Sequence, residues 1–375
     1  RSLKVCTGEN KIMNICQKEH KNRIEYFDLA KTISIFCVIL CHCVEQIYYS
    51  NQSAYYDSSN FSKIFSTICF VIGRCGVPFF LFVSGSLLIN KKIDTFEEYK
   101  KFIKKNFLRL LLTTEIWLII YNIFLSLMKV KTFNLLYLIE NMFFLKTLPL
   151  MNIWYMPMIL GVYLVIPLVS KAIKSFDSNK VLIFVGILSF ITNMLIPTIN
   201  VLFSKMNIDT VYLYGYVEFL GGFVGIYLIT GYLLNNEILK KISNVLLISI
   251  SIISFIVCMI WNNISLTYYW KYLHYDCIFL YVLTVCLFEL FRRINFNKAV
   301  NCIRKLIDYI SRYSLAIYFI HIIFIMLIGK YLVLYQIPAI LKFVLLNVFT
   351  VICSFGLAWI ISKIQLLKKL LLCIK

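Results

Sequence analysis

Runs of about twenty predominantly apolar residues follow one another along almost the whole chain, and no other feature restricts the possible fold as strongly. A run of that length, wound as an α-helix, matches the hydrocarbon thickness of a bilayer. With 61% of its 375 residues hydrophobic, the chain is expected to form an all-α integral membrane protein. Ten spans are expected, at about 27–48, 64–89, 107–128, 153–170, 181–200, 212–234, 242–261, 272–291, 309–329 and 338–362. No Gly/Ser linker or break in composition divides them, and no internal repeat is visible. The expected organisation is a polar tail over 1–22, without a cleavable signal pattern, followed by one transmembrane domain over 23–375.

The net charge of +20 would suit nucleic acid, but its distribution points to the membrane. If the N-terminus is inside, 28 of the 38 lysines and arginines fall in inner segments and seven in outer ones, with Lys31, Arg74 and Lys342 inside spans. That asymmetry follows the positive-inside rule, so both termini are expected in the cytoplasm and no nucleic-acid partner is expected. The thirteen cysteines are scattered, mostly within apolar helices, without a zinc-type ligand spacing. They read as small packing residues, and no metal site is expected.

The polar groups inside the spans narrow the function. Lys31 and His42 are eleven residues apart in the first span. Eleven helical steps make about three turns, which puts both on nearly one face, roughly 16 Å apart along the axis. Glu45, three residues after His42, can face the same way. Arg74 interrupts the second span, Glu115 lies in the third, Glu218 in the sixth and His321 in the ninth. His42 is about fifteen residues from the inner end of its helix and His321 about twelve, so the two can share a cavity near mid-membrane. Ionisable groups at that depth are costly and usually face a polar interior. Two imidazoles, an arginine and a carboxylate at one level would form an acid/base site. Each also has a plainer use: a histidine can tie two helices together, and an arginine can be half of a buried ion pair.

Four blocks set these residues in a pattern that resembles the acyltransferase-3 family of membrane O-acyltransferases. The first is Arg23, Asp28, Lys31 and His42. The second is Arg74, Val77, Pro78, Phe79, Phe80, Ser84 and Gly85. The third is Trp154, Tyr155, Gly161, Tyr163 and Pro167, and the fourth is Ser314, Leu315, Ile317, Tyr318 and His321. They occur in the family's order and run from residue 23 to 321. Two positions depart from it. Where many members carry a pair of arginines at the start of the third helix, this chain has Asn106 and Arg109. Where many have a histidine two residues before the tryptophan, it has Asn152.

The resemblance implies transfer of an acyl group, most often acetyl, from cytosolic acyl-CoA to a hydroxyl of a surface glycan or a lipid-linked glycan precursor. Acyl-CoA would be a co-substrate, with no bound cofactor, in a multi-pass protein of the cell membrane. On this reading Lys31, Lys105 and Arg109 meet the CoA phosphates, and His42 is general base or transient acyl carrier. Glu45 orients His42, and Arg74 and Ser84 stabilise the oxyanion or hold the acceptor. His321 is a second acid/base group, and Asn152, Trp154 and Tyr155 contact the acceptor. The basic loop of Lys100, Lys101, Lys104, Lys105 and Arg109 suits nucleotide phosphates and equally anionic lipid. The competing class is a transporter of a polar or glycan substrate that uses the same buried charges as a path. The sequence leaves the oligomeric state open.

Overall fold

The computed structural model describes residues 25–50, 52–56, 58–146, 150–175, 180–211, 221–269, 272–295, 301–332 and 334–373. The tail 1–22, Arg23 and Glu218 lie outside the described residues, which are helical and contain no strand. Among them, eight helices are long and apolar enough to cross a membrane: Glu25–Tyr49, Asn60–Leu88, Phe96–Leu127, Asn152–Lys174, Ile183–Lys205, Asn244–Leu266, Asn301–Leu332 and Ala339–Ser362. These coincide with eight of the ten expected spans. Of the other two expected spans, 212–234 lies partly outside the described residues, which show helix Gly222–Asn235 of 14 residues there, and 272–291 contains the 15-residue helix Ile278–Arg292.

The helices that build the site are α1 (Glu25–Val44, continued by a π turn over Glu45–Tyr49), α2 (Asn60–Arg74), α3 (Gly76–Leu88), α4 (Leu108–Leu127), α5 (Tyr155–Lys174), α6 (Gly222–Asn235), α7 (Ile278–Arg292), α8 (Asn301–Leu332), α9 (Ala339–Ser362) and α10 (Gln365–Leu371). Helix α1 is the central post, packed by α2, α3, α7, α8 and α9. Side chains such as Ile252, Ile253, Ile256 and Ile260 of Asn244–Tyr269 face outward, as an apolar solvent allows.

Helices α1 and α8 run side by side in the same direction, and polar contacts fix their register. Glu25 pairs with Arg304, Ser311 Oγ donates to Asp28 Oδ1 at 2.6 Å, and Thr32 Oγ1 donates to the Ile307 carbonyl at 3.1 Å. Glu25 and Arg304 are 279 residues apart, the same offset that separates His42 from His321. The two imidazoles meet because the helices hold this register over almost five turns.

Local chemistry also explains the break between α2 and α3. Pro78 has no N–H to donate to the carbonyl four residues back, so helical bonding lapses at Arg74, which ends α2. A cation there is favoured by the negative end of the helix dipole. Packing around the break is at backbone contact. A Cβ on Gly85 would lie 1.9 Å from the Leu228 carbonyl oxygen, and one on Gly231 would lie 2.2 Å from that of Phe82. Small residues let membrane helices approach this closely, and Ser86 Oγ donates to the Gly231 carbonyl at 2.7 Å across the same crossing.

Candidate active site

Two cavities meet inside the bundle. One, of about 770 Å³, is lined by His42, Glu45, Arg74, Asn152, Trp154 and Tyr155, together with Tyr272, His274, Tyr275 and Tyr318. The other, of about 600 Å³, opens at the end where α1, α4 and α8 begin. Its lining includes Lys31, Ser84, Lys91, Lys105, Arg109 and Arg312, besides Asn106, Tyr155 and Tyr318.

In the first cavity His42 and Glu45 form a dyad. His42 Nδ1 lies 2.6 Å from Glu45 Oε2, and a carboxylate there requires the hydrogen on Nδ1. That leaves the Nε2 lone pair for a substrate proton, an arrangement in which a second group fixes the tautomer of a catalytic histidine. The π turn that begins at Glu45 follows His42 by three residues, and such turns often occur at functional sites. Arg74 closes the group. Its Nη2 is 3.7 Å from Glu45 Oε1, and its Nη1 donates to the Tyr275 hydroxyl at 3.0 Å. The guanidinium also lies over the rings of Phe70 and Tyr275, at 4.7 and 4.9 Å. Its Nε is buried without a hydrogen-bond partner among the described residues.

His321 is fully buried and packs behind His42, with ring centroids 5.4 Å apart. It does not line the cavity itself. Its Nδ1 donates to the Ile317 carbonyl at 3.1 Å, which leaves Nε2 as an unprotonated nitrogen without a hydrogen-bond partner among the described residues. Asn152 is 3% exposed, its side chain lies beside the Tyr121 hydroxyl, and its backbone carbonyl accepts from the Tyr318 hydroxyl.

The second cavity is electrostatically different. Five cationic side chains line it, and no aspartate or glutamate does. Lys31, Lys105 and Arg109, expected together from the sequence, are together here. Ser84, expected near the developing oxyanion, lines this cavity instead, because α3 turns it toward the basic end. Cys373 lines it too. Helix α10 folds back from α9 against α4, where Trp117 Nε1 donates to the Leu371 carbonyl at 2.9 Å. Glu115 lines neither cavity. Arg292 and Arg293, which line neither cavity, are occupied by the fully buried Glu289 at 2.7–2.8 Å, and Arg292 also by Glu237.

Sequence reasoning missed several groups. His274 and Asp276 form a pair at 3.1 Å in the loop before α7, and Phe223, Tyr272 and Tyr275 add aromatic walls. Their signal was masked, because YLHYDC is apolar enough to read as the start of a span. Lys91 and Arg312 were counted as topology charges, and Tyr318 as a motif letter.

No curated protein and no solved structure matches the chain. The family model described as an acyltransferase domain matches residues 24–362, which takes in both cavities but not Cys373, and the chain therefore belongs to the acyltransferase-3 family, as a membrane acyltransferase.

Proposed function

We propose that this protein is an O-acetyltransferase that moves an acetyl group from cytosolic acetyl-CoA to a hydroxyl of a surface glycan or of its lipid-linked precursor. The observation that carries the reading is the adjacency of two unlike cavities: five cations without a lining carboxylate on one side, and a His–Glu dyad among aromatic walls on the other. A nucleotide with several phosphates is matched by the first. A sugar ring, with an apolar face and many hydroxyls, is matched by Trp154, Tyr272 and Tyr275 together with the polar groups of the second.

The CoA phosphates would dock at Lys31, Lys105 and Arg109, with Lys91 adding charge and Arg312 held by Asp308 at 2.8 Å, and the pantetheine arm would run toward His42. The axial rise from Lys31 to His42, roughly 16 Å, is comparable to that arm extended. His42 Nε2 takes the proton of the acceptor hydroxyl as its oxygen attacks the thioester carbonyl. Glu45 holds the ring and stabilises the imidazolium. Arg74, a fixed cation in the cavity wall, would stabilise the oxyanion. Collapse expels the CoA thiolate, which recovers the proton from His42. The same geometry serves an acyl-imidazole route, in which Nε2 attacks the thioester and the hydroxyl then takes the acyl group. His321 backs the His42 ring and, through Nε2, offers a further proton acceptor.

Two cavities divided by a partition also suit a transporter that exposes a site alternately to each side. Chemistry separates the readings. In lipid nanodiscs with a glycan acceptor fraction from the host envelope, the wild-type protein should release free CoA from acetyl-CoA and leave an acetyl ester on the glycan. His42→Ala should abolish both while it purifies like wild type, since the lost ring is partly exposed to the cavity. Ester formation by a folded His42→Ala protein would remove His42 from the chemistry. Absence of any acetyl-CoA consumption by the wild type would leave the transporter.

A further inference from the structure

The wall of the His42 cavity holds a second imidazole beside a carboxylate. His274 Nδ1 lies 3.1 Å from Asp276 Oδ1, in the non-helical segment that precedes α7. The pair stands at the end of the cavity away from the cations. Gln46 and Ser50, which line the cavity together with His274, lie at the far end of α1 from Lys31; Gln46 is roughly 22 Å from it along the axis. None of these three lines the basic cavity. The backbone around His274 is anchored. The Tyr272 hydroxyl donates to the Tyr49 carbonyl at 3.2 Å, the Tyr227 hydroxyl to the Tyr275 carbonyl at 3.0 Å, and the Cys277 N–H to the His274 carbonyl at 3.3 Å. The rings of His274 and Phe223 meet edge to face, with centroids 5.4 Å apart. Yet 56% of the His274 side chain is exposed, against 20% for His42. A polar side chain fixed by its neighbours and still reachable is preorganised to meet a ligand.

We infer that His274, oriented by Asp276, is an acceptor-binding residue: its imidazole hydrogen-bonds one hydroxyl of the sugar while another is acylated at His42. The inference rests on the acyltransferase reading. A donor held by its phosphates among Lys105 and Arg109 occupies the basic end, so the opposite end of the His42 cavity is left to the acceptor. Asp276 takes the Nδ1 hydrogen of His274, and the ring then meets a ligand through Nε2. A sugar hydroxyl is both donor and acceptor, so it can pair with Nε2 whether or not that nitrogen carries a hydrogen. Phe223 beside it supplies apolar surface for the carbon face of the same sugar. His42 and His274 thus have different tasks on one substrate, the first at the reacting hydroxyl and the second at a distance from it.

The test uses the protein in lipid nanodiscs, with the glycan fraction of the host envelope as acceptor. Rates are measured against glycan at saturating acetyl-CoA, and against acetyl-CoA at saturating glycan. His274→Ala should raise the glycan concentration at half-maximal rate about tenfold and leave the KM for acetyl-CoA near its wild-type value. Asp276→Asn should move the same constant by a smaller factor, and His274→Gln, which keeps a hydrogen-bonding group, should recover part of the loss. Diethyl pyrocarbonate gives a readout independent of activity. The glycan fraction should protect His274 from carbethoxylation, read by peptide mass spectrometry, and acetyl-CoA alone should not. An unchanged glycan dependence in folded His274→Ala and His274→Gln would overturn the acceptor role and leave the acyltransferase reading intact. So would equal rises in both constants, or protection by acetyl-CoA in place of the glycan. If the wild type consumed no acetyl-CoA, the acyltransferase reading would fall and the acceptor role with it.

Discussion

At the scale of single residues, the two cavities make separable demands. Glu45→Gln keeps a side chain of the same shape beside His42 but removes the anion that fixes the Nδ1 hydrogen. The expected result is a fall in kcat of about a hundredfold or more, with the apparent KM for acetyl-CoA nearly unchanged. Arg109→Ala should do the opposite. Loss of one charged contact to a phosphate should raise that KM about tenfold and leave kcat close to wild type. Steady-state kinetics over a range of acetyl-CoA concentrations measures both, and an unaltered KM in Arg109→Ala would move phosphate docking away from this cavity. The His42–Glu45 spacing was readable from helical geometry, whereas the grouping of Lys31 with Arg109 came from the family resemblance. Which imidazole nitrogen carries the hydrogen was not, because it depends on the 2.6 Å contact to the carboxylate. Ser84 shows the other limit. Its place in an apolar motif says that it is buried, whereas the cavity it faces is set by the rotation of α3 against α6.

At the scale of elements, close crossings hold the site in place. Gly85→Ala would drive a methyl into the Leu228 carbonyl, and a helix backbone cannot turn aside as a side chain can. The expected cost is about 3 kcal/mol, seen as a clear drop in the unfolding temperature of the detergent-solubilised protein. Gly161→Ala is the contrasting case. No atom lies within 4 Å of a Cβ built there, so its unfolding temperature should match wild type. Equal stability of the two variants would contradict the backbone-contact packing of α3 and α6. Both glycines sit in motifs that resemble the family pattern, yet nothing in the structure explains the one at 161. The break at Arg74 lay within a continuous apolar run, 64–89, and hydropathy passes over it. The missing N–H of Pro78 was the signal that could have placed it. Asp28 likewise stood as a motif position, and its bond from Ser311 shows its structural use: it helps set the register that brings His42 to His321.

At the scale of the whole molecule, the hydropathy pattern conveyed a helical membrane protein, and eight of its ten expected spans are matched by helices long enough to cross among the described residues. Residues 272–277 are the instructive stretch. Four of the six are apolar or aromatic, yet the backbone leaves the helix. Leu273 N–H donates to Asn262 Oδ1 at 3.0 Å, the Tyr272 hydroxyl donates to the Tyr49 carbonyl at 3.2 Å, and Ile278 N–H donates to Thr198 Oγ1 at 3.1 Å. Non-helical backbone is tolerated at membrane depth where it lines a cavity, and this segment presents His274 and Tyr275 to one. Orientation follows from the basic end, which should face the cytoplasm. Lys101 and Lys129 are both exposed, near opposite ends of the Phe96–Leu127 helix. A membrane-impermeant amine reagent on intact cells should modify Lys129 and spare Lys101, and the reverse labelling would invert the topology and place the five-cation cavity away from cytosolic CoA. The clasp between Trp117 and Leu371 has a practical consequence. It draws the backbone after α10 to the rim of that cavity, where Cys373 forms part of the wall. Any polypeptide joined beyond Cys373, an affinity handle or a fluorescent reporter included, starts at the mouth of the basic cavity, so on the proposed function an inactive fusion of that kind would report on a blocked entrance before it reported on the chemistry.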